Sequence, residues 1–85
     1  MQDQQTTYYV ITGVGPNPSE PAGLVRRTLT PEGRLDEALG RDLTWHRDTA
    51  IIESEYGNLP GELAEISEGE AEELIERFRQ KWADG

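Results

Sequence analysis

The chain has 85 residues, 34% of them hydrophobic, and 8 bases against 17 acids give a net charge of −9. That length accommodates one small domain spanning 1–85, of modest stability because so short a chain buries little of its surface. Cysteine is absent, which excludes disulfides, thiolate metal sites and cysteine nucleophiles; no apolar run of about 18 residues marks a membrane span, and no basic-then-apolar opening marks a secretory leader.

Residues 1–6 are polar and expected to fray. Thr7 to Thr12 is β-branched and aromatic throughout and predicts a strand. Alternation sets Tyr8 and Val10 on one face and Tyr9 and Ile11 on the other. Gly13 to Gly23 holds three Pro and three Gly in eleven residues and predicts a surface loop. Leu24 to Leu29 is a second strand. Thr30-Pro31-Glu32-Gly33 predicts a tight turn leading into Arg34–Leu39, so the pair forms a hairpin.

Residues 34–52 support two readings. Leu35, Leu39 and Leu43 recur every four residues, as in a helix, but Gly40 costs a helix about 1 kcal/mol relative to Ala. Strands at Arg34–Ala38 and Leu43–His46 are favoured, with a short helical turn near Asp48–Ser54. Gly57-Asn58-Leu59-Pro60-Gly61 breaks the chain again, and Leu63–Ile66 fits a last short strand. Ser67 followed by Glu70 is a capping box. Ala71, Leu74, Ile75, Phe78 and Trp82 then fall on one helical face. Acids lead and bases trail along this segment, which complements the helix dipole, and Glu73 and Arg77 are spaced to pair. A helix over Glu68–Ala83 follows.

These elements predict an α+β fold: a two-layer domain with a three- to four-stranded antiparallel sheet and one C-terminal helix packed on one face. Core candidates are Tyr9, Ile11, Val25, Leu29, Leu43, Trp45, Ile66, Leu74, Ile75, Phe78 and Trp82. One helix covers one face of such a sheet, so the other face, with Tyr8 and Val10, is expected to be covered by a partner protein or a second copy of the chain.

No catalytic constellation emerges. Gly13-Val14-Gly15 follows a strand, but Pro18 stands where a dinucleotide-binding loop needs its third glycine. His46-Arg47-Asp48 spells a kinase triplet, yet Glu53 stands where its asparagine belongs. His46 is the only histidine; a site built with Asp42, Asp48 or Glu53 is the one metal arrangement it permits. The glutamates lack calcium-loop spacing, and no serine lies in a nucleophile elbow. The expectation is no enzyme, no metal and no cofactor.

Charge carries more information. Residues 51–70 hold Glu53, Glu55, Glu62, Glu65, Glu68 and Glu70 and no base. Such a field repels nucleic-acid backbones and anionic membranes and attracts a basic protein. Trp82, at the end of the helix, is a further contact candidate.

The order Tyr8-Tyr9-Val10, a Gly/Pro loop, Gly23-Leu24-Val25-Arg26-Arg27, Trp45, Tyr56-Gly57 and Glu65-Ile66-Ser67-Glu68 resembles small acidic proteins of unknown function from high-GC actinomycete bacteria. The resemblance implies a bacterial cytoplasmic protein and no particular activity. The reading that follows is a non-catalytic protein-binding or regulatory module, with Tyr8, Val10, Glu62, Glu65, Glu68 and Trp82 as contact candidates. The alternatives are an inhibitor, such as a toxin antidote or a mimic of nucleic-acid charge, and then a small enzyme or metal protein.

Overall fold

The computed structural model describes residues 4–17 and 19–84; Pro18 and the first half of the amino-terminal segment expected to fray, residues 1–3, lie outside them. In chain order the elements are β1 (Gln5–Thr12), β2 (Gly23–Thr30), β3 (Gly33–Leu39), β4 (Trp45–Arg47), α1 (Ala50–Glu55), β5 (Glu62–Ile66) and α2 (Glu68–Asp84). The strands form one antiparallel sheet in the order β4-β3-β2-β1-β5. The α+β class holds, with five strands where three or four were expected. Gln5 and Thr6 do not fray: they pair with Leu29 and Thr28 of β2.

The two-residue turn Pro31-Glu32 sets the register of β2 on β3, from Thr30 opposite Gly33 to Val25 opposite Ala38. β4 returns through a tip one residue longer. Gly40 N–H donates to Thr44 O (2.9 Å) and Leu43 N–H to Gly40 O (2.9 Å). This three-residue loop puts Leu43 at φ 64°, a position usually given to glycine. Leu43 occupies it because its side chain packs against the core beneath α2; burial offsets the backbone strain.

Both sheet faces are covered. On one, Val10, Leu24 and Leu39 meet Ala71, Leu74 and Phe78 of α2, flanked by Tyr8, Trp45, Ile66, Ile75 and Trp82. On the other, Val25 meets Ala50 and Ile51 of α1, flanked by Tyr9, Ile11, Ala38, Leu59 and Leu63. Leu24 and Val25, adjacent in β2, are each 1% exposed on opposite faces, and burying each contributes about 1.5–3 kcal/mol.

This arrangement corrects three expectations. Tyr8 and Val10 lie on the face that α2 covers, and Val10 is buried there. The opposite face is closed by α1 and Leu59 from the same chain, so burial of the sheet requires no second molecule. Alternation assigns residues to faces, but it cannot say which face receives which helix. Leu29, expected in the core, is 47% exposed, because its row with Gln5 and Arg34 carries no other apolar side chain.

Helix α1 has six residues, too few to be stable alone. Asp48 Oδ1 accepts the Ala50 N–H at 2.7 Å, and Glu55 is tied to Arg27 of β2. Helix α2 opens with the expected box: Ser67 Oγ accepts the Glu70 N–H (3.1 Å) and Glu70 Oε1 accepts the Ser67 N–H (3.0 Å).

Gly61 enters β5 against the backbone of β1. A Cβ there would meet Thr12 O at 2.4 Å and Val14 Cγ2 at 2.6 Å. Gly69, in the first turn of α2, has only Ser67 Oγ nearby, at 3.9 Å. Urea unfolding therefore separates the two: Gly61→Ala lowers stability by about 1–3 kcal/mol, whereas Gly69→Ala raises it by up to about 1 kcal/mol.

Candidate functional site

The single histidine sits at the β3–β4 tip. His46 Nε2 lies 3.0 Å from Asp42 Oδ2 and 2.8 Å from Thr44 Oγ1, and Asp42 Oδ1 accepts the Thr44 N–H at 3.1 Å. Bonding from His46, then from the Thr44 hydroxyl and backbone, pulls the Asp42 carboxyl down to about 2. Asp48 and Glu53 point elsewhere: Asp48 holds the Ala50 N–H, and Glu53 accepts the Thr49 hydroxyl. Among the described residues no three His, Asp or Glu side chains converge as a metal set. The Asp42–Thr44–His46 cluster fastens a turn.

Two arginines, neighbours in β2, serve opposite faces. Arg27 donates to both oxygens of Asp36 (2.8 and 3.1 Å) and to Glu55 Oε2 (3.0 Å), tying β2, β3 and α1 together. The Asp36 bonds, then those of Glu55, push its guanidinium further above its ordinary value; the same contact holds Glu55 below the usual carboxylate range. Arg26 donates to Glu37 at 2.8 Å and lies 4.1 Å over the Trp45 ring, with the Tyr8 ring 6.2 Å from Trp45. Sequence reasoning missed these clusters, although counting back from the Pro31-Glu32 turn sets Arg27 opposite Asp36 and Arg26 opposite Glu37.

The acidic run divides once folded. Glu53, Glu55 and Glu70 are engaged by Thr49, Arg27 and Ser67. Glu62, Glu65 and Glu68 are exposed and, among the described residues, their carboxylates make no hydrogen bond or ion pair. Glu62 lies in register with Thr12 and Glu65 with Tyr9, so the two project from opposite faces of β5. Helix α2 adds Glu72 and Glu73, both exposed and unpaired within the described residues. The expected Glu73–Arg77 pair does not form; the ion pair along this helix is Arg79–Glu76 at 3.5 Å.

The contact candidates therefore separate. Tyr8, Glu65 and Glu68 line one notch of about 490 Å³, where β1 runs on past the end of β5. Val10 floors a groove of about 600 Å³ between α2 and strands β1 and β5. Its walls carry Ile66 and Leu74, with Glu70, Glu73, Glu76 and Arg77 on the α2 side and Ser19 and Pro21 of the β1–β2 connection closing it. Trp82 lines neither notch nor groove: it stacks on Phe78 (4.9 Å, 7°) and faces Arg41 at 6.0 Å. No helix among the described residues is long and apolar enough to cross a membrane.

The cap of α2 gives a pH signature. Bonds from the Ser67 backbone N–H and then its hydroxyl hold Glu70 below its ordinary 4.5. A depressed folded-state value means the contribution is complete above 4.5 and disappears as pH falls through the folded value. In urea unfolding, Ser67→Ala costs about 1 kcal/mol at neutral pH. The deficit of Glu70→Gln relative to the unaltered chain is present at neutral pH and shrinks below pH 4.5.

Comparison with known proteins yields no relative: no family model, no curated protein and no solved structure matches the chain.

Proposed function

We propose that this chain is a non-catalytic protein-binding module, and that the surface formed by β5 and the first half of α2 receives a basic segment of another protein. The observation that carries the reading is the set Glu62, Glu65, Glu68, Glu72 and Glu73, exposed carboxylates that no described side chain or backbone group neutralises. Several acids elsewhere in the fold are used internally, namely Asp36, Glu37 and Glu55 by arginines, Asp42 by His46 and Glu70 by Ser67, while the exposed Glu20 and Glu32 stand apart from the set. Leaving five like charges together opposes folding slightly, and a cationic partner relieves that repulsion on docking. The partner's encounter is accelerated by the same field. The one histidine is held at a turn and takes no part in this surface.

Titration calorimetry with a blocked lysine-rich peptide tests the reading. Binding weakens with added salt. Changing the five glutamates together to Gln weakens it about tenfold or more, the sum of modest exposed-charge terms. The control Glu20→Gln with Glu32→Gln, two exposed acids elsewhere, changes it far less. Equal losses from the two sets, residue for residue, would mean that net charge alone attracts the peptide and that no docking surface exists.

A further inference from the structure

We infer that the open edge of β5 is the seat of this contact, and that the basic segment adds to it as an extended sixth strand whose alternate side chains enter the groove beneath α2. The inference rests on the protein-binding reading above and specifies its geometry.

β5 pairs with β1 and, among the described residues, borders no other strand, so the backbone N–H and C=O groups not turned to β1 face outward. The opposite edge, β4, has three residues against five in β5, and a very short strand offers little to pair with. The register places Glu62, Ala64 and Ile66 on the α2 face of β5, opposite Thr12, Val10 and Tyr8. Leu63 and Glu65 take the other face. A strand laid along this edge sends every second side chain over Ala64 and Ile66 into the groove of about 600 Å³. There the apolar surfaces of Val10 and Leu74 suit a long aliphatic stem, and Glu73 on the α2 wall, unpaired where Glu70 is held by Ser67, suits a cationic end even with Arg77 on the same wall. Side chains of the other parity pass Leu63 and meet Glu65.

Charge decides the occupant. A second copy brings its own −9, and joining the two β5 edges gathers both sets of Glu62 and Glu65 on one short ladder, where like charges repel. The acids that keep this edge from pairing with itself therefore select a basic strand.

The test uses the full chain and a blocked hexapeptide of alternating lysine and valine. Two N-methylated forms of that peptide, one in each alternate frame, remove the amide protons on one edge or the other. Strand addition predicts that one frame binds at least tenfold more weakly while the other binds like the parent. Hydrogen exchange of β5 amides slows when the parent peptide is added. Ala64→Lys, a charge placed on the α2 face of the strand, lowers affinity at least tenfold with an unchanged circular dichroism spectrum. Equal binding by both methylated forms, with the five-glutamate variant still weakened, overturns strand addition and leaves the acidic docking surface standing. Binding indifferent to both methylation and the glutamates overturns the two together. A dimer whose β5 amides are protected without peptide overturns the choice of occupant.

Discussion

A strand that is apolar on both sides must be roofed twice, and β1 imposes that demand on everything around it. Val10 points toward α2 while Tyr9 and Ile11 point toward α1 and Leu59. β1 also holds a neighbour on each edge, β2 and β5. In a chain that is only 34% hydrophobic, two separate cores divide a small apolar supply between them. Each is small: the face beneath α1 rests on Val25, Ala50 and Ile51. The Arg27–Asp36–Glu55 cluster supplements it by fastening α1 with charge-assisted hydrogen bonds where apolar area is scarce.

Much of this was legible from local chemistry. The capping box and the Ala71–Trp82 periodicity located α2 because both are properties of contiguous residues. The Pro31-Glu32 turn located the β2–β3 hairpin, and Gly40 correctly argued against a helix through Leu35, Leu39 and Leu43. The assignment of helices to faces was not legible. It depends on where residues 48–61 travel after β4, which is a tertiary choice. A six-residue α1 with only two buried side chains leaves a faint periodic signal, so its capacity to close a sheet face is easily undervalued. Leu29 misled for the opposite reason: it alternates correctly but lies beyond the reach of α1.

The candidate surface was half legible. Glu62, Glu65 and Glu68 stand out as an acidic run, and all are exposed. Sequence proximity hid the division of labour within that run, since Glu55 and Glu70 are consumed by partners 28 and 3 residues away. Glu73 comes to line a groove beside Ile66 only because α2 turns back over the sheet from the end of β5. Tyr8 and Val10 lie on the face that α2 covers and not on one left to a partner or second copy, though Tyr8 still borders the notch. Val10 instead serves as the floor of the groove.

The placement of β5 beside β1 bears on how the protein is made. β1 is first along the chain and β5 is the last strand, with β2, β3, β4 and α1 between them. While the ribosome is still adding residues up to Ile66, β1 has one hydrogen-bonded neighbour and one bare side. Its two apolar faces also lack α2, which follows β5 directly. Until β5 and α2 have been made, β1 lacks both a partner on that side and its cover, so this pairing, between strands some fifty residues apart, ties cooperative folding of the sheet to the arrival of these two elements.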